Sequence, residues 1–310
     1  MKAREPDRTG VVERDGVRVA WQVYGDLPGA DALAVLLLPT WCIVSAEVWK
    51  LQVPFLARRT RVITFDPRGN GLSDRPTRRE AYRREELTRD ALEVLDATGT
   101  RRTVVVGLSA GNEQALDLAT DHPGRVAAWV AIAPSIRGLG GYSEERDAAF
   151  ARWNEDTADD HGWGRYNRHS WLRDYPGFVD FFFDQAVCEP HSTKLVEDLV
   201  AWSTGSDGEV LSATELGRQP RPRSLEEQSA RVRCPVVVVH GTDDRVIPHA
   251  HGERLAELTG GELVTFSGSG HLPQGRDPVA VNRLIDRVLS AASMQPLTRS
   301  GPTPSARSRG

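Results

Sequence analysis

The stretch TVVVGLSAGNEQALDLA, residues 103–119, places a serine between a Val-rich run and a segment rich in Ala and Leu. The first part is typical of a buried β-strand and the second of a helix, so Ser109 falls at a sharp strand-to-helix turn. Gly107 and Gly111 let the backbone turn tightly and keep other side chains away from the hydroxyl. The first N–H groups of the helix point at any negatively charged oxygen nearby. The pattern predicts a nucleophile elbow with Ser109 as the attacking residue.

Length and composition bound the remaining possibilities. The 310 residues allow one large α/β domain with an insertion, or two ordinary domains. The net charge of -4, with no basic block in the body of the chain, argues against nucleic acid and favours a small-molecule substrate. The polar N-terminus and the short apolar runs predict a cytoplasmic protein without a membrane partner, and they leave the oligomeric state open.

The cysteines suggest no cofactor chemistry. Cys42, Cys188 and Cys234 are scattered and odd in number, and no Cys or His cluster has the spacing of zinc ligands. We therefore expect neither a disulfide framework nor a metal site, and no bound cofactor.

Strand-like and helix-like segments alternate along most of the chain. Asp15-Gly16 lies between two strand-like runs and predicts a two-residue hairpin turn. The later alternation predicts a mostly parallel sheet covered by helices, with right-handed crossovers. The predicted strands are 34–38, 62–65, 104–106, 128–133, 236–240 and 262–266, and the predicted helices are 46–58, 85–97, 111–122, 249–258 and 279–292.

The alternation is interrupted at 135–231, which is helix-like and aromatic and contains the run Phe181 to Phe183. An insertion at this point lies over the carboxyl edge of the sheet, where ligands bind in open α/β proteins. We therefore predict a core of residues 1–134 and 232–292 with a helical cap of residues 135–231. Residues 293–310, rich in Ser, Pro and Arg, are predicted to be a disordered tail.

A serine nucleophile needs a base, and the base needs an orienting carboxylate. Two acids, Asp243 and Asp244, follow the strand-like run VVVVHG at 236–241, and His271 lies in a Gly/Ser loop after the last predicted strand. The three kinds of group therefore follow strand ends in the order Ser, Asp, His. We interpret the other histidines of this region as structural: His240 as packing in the strand or turn, and His249 and His251 as an exposed helix start.

From residue 11 to about 292 the chain resembles α/β-hydrolase-fold enzymes. The resemblance rests on the elbow at Ser109, the element HGTDDRVIP at 240–248, Gly270-His271, and DPRGNGLS at 66–73. It implies the α/β-hydrolase fold, a mostly parallel sheet with an N-terminal hairpin and an inserted helical cap.

Carried over by position, the resemblance makes Ser109 the nucleophile, Asp244 the orienting acid and His271 the general base. Asp243 is the alternative acid, but Asp244 has the family's spacing from Gly241 and Pro248. In the 66–73 loop, Asp66 and Arg68 are interpreted as structural, because their hydrogen bonds would fix the loop.

The oxyanion loop departs from the family pattern. Members commonly carry His-Gly after the third strand, whereas this chain has Pro39-Thr40 followed by Trp41. Backbone donors do not depend on side-chain identity, so the N–H groups of Trp41 and Ala110 are the expected oxyanion hole. Thr40 lacks the conformational freedom of glycine, which leaves the loop geometry open. Trp41 and Cys42 are expected to line the substrate pocket.

A narrower resemblance comes from LPTW at 38–41, FDPRGNG at 65–71 and EPHSTK at 189–194. These segments resemble hydrolase modules fused to class III adenylate cyclases in actinobacteria, although this chain has no cyclase segment. Glu189 and His191 either face the substrate from the cap or belong to an ordinary loop with a helix cap at Ser192.

Three functions remain open at this point. The first is a cofactor-independent serine hydrolase that cleaves a small, partly apolar ester, lactone or thioester through an acyl-enzyme. The second uses the same triad for carbon–carbon bond hydrolysis, perhydrolysis or cyclisation of a natural-product intermediate. The third is a ligand-binding or regulatory module with low turnover. Haloalkane dehalogenation is disfavoured because that chemistry needs a carboxylate at the position of Ser109.

Overall fold

A computed structural model describes residues 4–25, 33–157 and 160–294. The strands of these residues form one eight-stranded sheet in the order β1-β2-β4-β3-β5-β6-β7-β8. β1 and β2 are antiparallel, as are β2 and β4, and every other pair is parallel, which confirms the predicted architecture. The strands are β1 Arg8–Arg14, β2 Val17–Tyr24, β3 Ala34–Leu37, β4 Val62–Phe65, β5 Thr103–Leu108, β6 Val126–Ile132, β7 Val236–Gly241 and β8 Glu262–Phe266.

The hairpin turn forms at the predicted dipeptide. Arg14 pairs with Val17, and the two residues between them have positive φ angles, 53° for Asp15 and 71° for Gly16. A two-residue turn of this kind matches the right-handed twist of the strands it joins.

Helices cover both faces of the sheet. They are α1 Val53–Leu56, α2 Arg84–Ala97, α3 Gly111–Asp121, α4 Glu144–Ala151, α5 Arg168–Arg173, α6 Tyr175–Ala186, α7 Thr193–Ser203, α8 Gly208–Gly217, α9 Leu225–Ser229, α10 His249–Thr259, α11 Pro273–Arg276 and α12 Pro278–Ser293. None of the helices in the described ranges is long and apolar enough to cross a membrane.

The continuous helix predicted at 46–58 is wrong. A single 3₁₀ turn, Ala46–Trp49, is followed after a break by the one-turn helix α1. Pro54 lies in the first turn of α1, where its missing N–H costs no helical hydrogen bond, so it marks the start of a new helix rather than the middle of a continuous one.

Alternating side chains of the central strands pack into two apolar layers. Leu36 and Val105 lie in the layer that includes residues of α2, α3 and α10, whereas Leu37 and Val106 lie in the layer that includes α12 and the helices between β6 and β7. The buried runs on both faces are what a parallel sheet covered by helices requires. The carboxyl ends of the parallel strands therefore share one edge.

Helices α4 to α9 lie between β6 and β7 and carry a cluster of aromatic rings. Trp171 and Phe178 are buried there with ring centroids 5.0 Å apart. Most of the segment predicted as a disordered tail, residues 295–310, lies outside the described residues.

Candidate active site

Ser109 lies directly between β5 and α3, with a φ angle of 49°. This left-handed conformation is strained for a residue with a side chain and costs on the order of 1 to 3 kcal/mol. The Ser109 N–H donates to the carbonyl oxygen of Ile132 at 2.9 Å, so neighbouring strand β6 helps hold the turn. The hydroxyl is thereby presented at the carboxyl edge of the sheet.

The two flanking glycines are required by close backbone packing. A Cβ atom at Gly107 would lie 2.5 Å from the Asn112 side-chain oxygen, and one at Gly111 would lie 2.5 Å from the carbonyl oxygen of Pro39. Any larger residue at either position would displace the elbow from β5 or from the loop after β3.

Asn112 is a support of the elbow that sequence reasoning missed. Its side chain is buried in the first turn of α3, where Nδ2 donates to the carbonyl oxygens of Ser109 at 3.0 Å and Ile132 at 3.1 Å. Its Oδ1 accepts from Trp129 Nε1 at 3.1 Å. The sequence did offer one signal for this role of Asn112, because it is a polar residue on the buried face of the predicted helix.

The predicted acid, Asp244, and the predicted base, His271, meet at the ends of β7 and β8. His271 Nδ1 lies 2.7 Å from Asp244 Oδ2, and Asp244 Oδ1 accepts the N–H groups of Val246 and Ile247, each at 2.8 Å. Because the carboxylate is an acceptor, Nδ1 carries the proton, which leaves the Nε2 lone pair of His271 available as a base.

Burial raises the pKa of Asp244, but the charge of His271 and the hydrogen bonds from His240 and His271 outweigh it, so the pKa stays below its usual range. The carboxylate is therefore ionised at any pH at which the protein would work. The alternative acid, Asp243, is exposed, and its Oδ1 accepts from its neighbour Thr242 instead.

His240 is hydrogen-bonded to Asp244 as well as packed in the core. Its ring is fully buried, and Nε2 lies 3.1 Å from Asp244 Oδ2 and 3.0 Å from the carbonyl oxygen of Ile247. Both neighbours are acceptors, so Nε2 is a donor. The interpretation of His240 as a packing residue missed this second imidazole on the catalytic edge.

The prediction that His251 lies at an exposed helix start is wrong. This residue is buried, with Nε2 3.0 Å from the carbonyl oxygen of Gly141 and its ring 5.3 Å from that of Tyr142. The segment after β6 folds over the start of α10, and burial there lowers the pKa of His251. His249 is half-buried, and its Nε2 lies 3.0 Å from Thr265 Oγ1.

The predicted oxyanion donors are free to bind a ligand. Neither the Trp41 N–H nor the Ala110 N–H donates a hydrogen bond to any residue the structure describes. Trp41, Cys42 and Ala110 contribute to the lining of one cavity of about 80 Å³. Burial raises the pKa of Cys42 to about 12, so its thiol stays protonated.

The Trp41 side chain attaches the predicted oxyanion loop to the helices between β6 and β7. Its Nε1 donates to Thr214 Oγ1 at 2.8 Å, and its ring lies edge-on to Trp171 at 5.6 Å and to Phe182 at 5.7 Å. Aromatic pairs of this geometry are favourable and rigid. The position of the loop is thus set from outside the core.

The loop that carries His271 is also held from this side. Glu189 Oε1 accepts from the Gly270 N–H at 2.7 Å and from Ser269 Oγ at 3.1 Å, and the His271 N–H donates to the carbonyl oxygen of Ala186 at 3.0 Å. The carboxylate of Glu189 is therefore hydrogen-bonded to the loop that carries His271.

His191 is exposed with a φ angle of 62°, and it lines an open groove together with Glu189. Ser192 occupies the N-cap position of α7, but its side chain makes no capping hydrogen bond. The substrate contacts expected of Glu189 and His191 stay predictions.

Asp66 and Arg68 act within the scaffold. Asp66 accepts the N–H groups of Ala46 and Leu72, each at 2.9 Å, and Arg68 Nη2 donates to Asp90 Oδ1 at 2.7 Å. These contacts fix the loop after β4 in the way the sequence interpretation expected.

The Ser109 hydroxyl and His271 follow β5 and β8 at the same edge of the sheet, but no hydrogen bond joins them within the described part of the chain. Catalytic contacts are often long before substrate is bound and tighten in the reacting complex. Among the described residues, no group of three His, Cys, Asp or Glu side chains is placed to hold a metal ion.

Comparison with known proteins identifies the class. A model of the α/β-hydrolase fold matches residues 34–278, so the chain belongs to the α/β-hydrolase family and is a hydrolase of that family.

Two curated relatives illustrate how broad that family is. The chain is 26% identical over 283 residues to "Putative carbamate hydrolase RutD" of Variovorax paradoxus (strain S110), covering 88% of this chain and 96% of that protein. It is 27% identical over 291 residues to the non-heme chloroperoxidase of Streptomyces lividans, with the same two coverages of 88% and 96%.

A solved structure described as "Est816 as an N-Acyl homoserine lactone degrading enzyme" superposes with a TM-score of 0.72 at 26% identity, covering 90% of this chain and 99% of that one. The narrower resemblance to cyclase-linked modules stays a prediction.

Proposed function

We propose that this protein is a cofactor-independent serine hydrolase that cleaves a small, partly apolar ester, lactone or thioester through an acyl-enzyme. The observation that carries the proposal is the 2.7 Å hydrogen bond between His271 Nδ1 and the buried Asp244 carboxylate, at the edge where the strained Ser109 turn also ends. An acid, a base and a candidate nucleophile at one sheet edge form the arrangement that acyl transfer needs.

The proposed reaction begins when His271 Nε2 takes the Ser109 proton and Oγ attacks the scissile carbonyl carbon. Asp244 keeps the second imidazole nitrogen protonated and stabilises the imidazolium that forms. The N–H groups of Trp41 and Ala110 stabilise the tetrahedral oxyanion.

Collapse of the tetrahedral intermediate expels the alcohol or thiol, which receives the proton from His271, and leaves the acyl group on Ser109. Water, deprotonated by the same imidazole, then releases the acid and restores the free hydroxyl. The buried carboxylate remains an anion throughout.

Perhydrolysis is a second candidate, favoured by the similarity to the Streptomyces lividans chloroperoxidase. In that reaction hydrogen peroxide instead of water attacks the acyl-enzyme, and the product is a peracid. The two reactions are distinguished by analysing the product formed from an acetate ester with and without hydrogen peroxide. Peracetic acid forms only if the enzyme catalyses perhydrolysis.

The test is labelling with a fluorophosphonate probe combined with hydrolysis of p-nitrophenyl acetate. We expect prompt labelling of the wild type, no labelling of Ser109→Ala, and a fall in kcat of about 10⁴-fold or more in that variant. Ser290→Ala, a change at an exposed serine of α12, is the matched control and should label and turn over normally.

A folded wild type that neither labels nor hydrolyses the ester would contradict the proposal. That result would favour the ligand-binding or regulatory module instead.

A further inference from the structure

The cavity beside the predicted oxyanion hole has a lining rich in arginine. One side is formed by Thr40, Trp41 and Ala110, and neither Ser109 nor His271 lines it. The rest of the lining is rich in arginine: Arg68, Arg84, Arg137, Arg218 and Arg221 line it, with Asp90 and Glu113 as the acids. A group bound here would lie next to the scissile carbonyl without occupying the position of the nucleophile.

Four of the five arginines already have carboxylate partners. Arg68 pairs with Asp90, Arg84 with Asp117, Arg218 with Glu215 and Arg221 with Glu113.

Arg137 is the exception. Its backbone N–H donates to Glu113 Oε1 at 2.7 Å, but its guanidinium has no carboxylate or hydrogen-bond partner within the described residues. Of the five arginines that line the cavity, Arg137 is therefore the one whose charge no carboxylate of the described residues neutralises.

Two buried polar groups of the lining also lack a partner. The Tyr82 hydroxyl and the Gln114 Oε1 make no hydrogen bond to any described residue, although these residues are only 2% and 6% exposed. Buried polar groups are almost always satisfied in folded proteins, so two unsatisfied groups on residues that line one cavity favour a polar occupant. Either end of the Gln114 amide can face that occupant, because its two orientations are nearly isosteric.

We propose that this cavity binds a carboxylate carried by the substrate, so that the enzyme prefers small esters or lactones with a carboxylate a few bonds from the scissile carbonyl. The Arg137 guanidinium suits the planar carboxylate, and Tyr82, on the same lining, carries a hydroxyl donor that has no other partner among the described residues. A volume of about 80 Å³ limits the bound part to a small group. The proposal rests on the proposed esterase function, whose substrate class it narrows.

The carboxylate can lie on either side of the scissile bond, and two matched pairs of substrates distinguish the sides. On the acyl side, monomethyl glutarate is compared with methyl 5-methylhexanoate, in which an isopropyl group replaces the carboxylate. On the leaving-group side, acetoxyacetate is compared with isobutyl acetate. The readout is the ratio of kcat/KM for the charged ester to that for its neutral isostere, measured by titration of the released acid.

We expect this ratio to exceed one for one of the two pairs in the wild type. Arg137→Gln should lower it about tenfold, the size of a lost charge-assisted hydrogen bond, and Tyr82→Phe about threefold. Arg137 is exposed, so its replacement does not endanger folding. Arg283→Gln, a change at another exposed arginine but on α12, is the control and should leave the ratio unchanged.

A ratio below one for both pairs, or a ratio that Arg137→Gln does not change, would overturn the proposal. Failure of this site is distinguishable from failure of the proposed function, because fluorophosphonate labelling and hydrolysis of the neutral esters would persist. Calorimetric binding of the charged ester to Ser109→Ala gives a readout that does not depend on turnover. Weaker binding after the Arg137→Gln change in that background would support the site even in an inactive protein.

Discussion

The two halves of the site differ in how their polar atoms are used. At the ends of β7 and β8, the Asp244 carboxylate is fully buried and accepts hydrogen bonds from two backbone N–H groups and two imidazoles. At the ends of β3 and β5, the Ser109 backbone is strained and the N–H groups of Trp41 and Ala110 have no acceptor among the described residues. In the first half the carboxylate is fully hydrogen-bonded without a ligand, whereas the second half has free N–H donors that a reacting carbonyl could satisfy.

Asp244→Asn should disrupt the half of the site around Asp244, and it should have the largest effect on activity. An asparagine fills the same space, but its amide group can donate to His271 Nδ1 and so favour the tautomer that has a proton on Nε2, which cannot act as a base. We expect kcat for p-nitrophenyl acetate to fall by about 10⁴-fold while the circular dichroism spectrum is retained.

Asp243→Asn is the matched control, because Asp243 is the exposed neighbour and its carboxylate faces Thr242. It should keep activity within about twofold of the wild type. An equal loss in the two variants would mean that the orienting acid has been assigned to the wrong residue.

His240→Phe should weaken the hydrogen bonding of the Asp244 carboxylate without removing the carboxylate itself. The change deletes one of the four donors to Asp244 and leaves the carbonyl oxygen of Ile247 without its donor. We expect kcat to fall about tenfold and the free energy of unfolding to fall by about 1 to 3 kcal/mol, the usual cost of an unsatisfied buried group. His249→Phe is the control, because His249 contacts Thr265 rather than Asp244.

In the His240→Phe variant the free energy of unfolding should also depend on pH in a way that a purely structural role of His240 would not produce. The folded-state pKa of Asp244 lies below its unfolded value, so its ionised form contributes stability above about pH 4 that is lost as the pH falls through the lowered pKa. Without the donor from His240 the folded-state pKa rises toward the unfolded value, so the variant should lose less stability on acidification, and the loss should end at a higher pH. Urea unfolding between about pH 2 and pH 7 measures this acid limb. An acid limb of the same depth in the variant and the wild type would exclude an effect of His240 on the carboxylate.

What the sequence predicted well is local in origin. The glycines around Ser109, the Asp15-Gly16 turn and the apolar runs each depend on a few neighbouring residues, whereas the choice of Asp244 over Asp243 rested on the resemblance to α/β-hydrolases. Turn geometry and burial on both faces of a parallel strand act over this same range, so these features could be anticipated.

What the sequence did not predict depends on contacts between distant segments. The burial of His251 requires the segment around Gly141 to fold over α10, and the arginine-lined cavity gathers side chains from loops and helices between Pro39 and Arg221. The break before Pro54 is different, because the proline is a local signal within the segment predicted as one helix. Nothing in the local pattern around His240 shows that its ring turns toward Asp244.

The strain at Ser109 gives the smallest expected effect. At a φ angle of 49° an alanine carries the same steric penalty as the serine, whereas a glycine adopts this conformation without cost. We expect Ser109→Gly to be about 1 kcal/mol more stable to urea than Ser109→Ala, although both are inactive.

The same pair of substitutions at Ser290, in the regular helix α12, should show the opposite order, with glycine about 1 kcal/mol less stable than alanine. A reversal of sign between the two positions would show that the elbow stores strain where the nucleophile is presented. If glycine were the less stable residue at both positions, the backbone of the elbow would be relaxed. The contrast between the halves of the site would then lie only in hydrogen bonding, with free donors beside Ser109 and satisfied acceptors around Asp244.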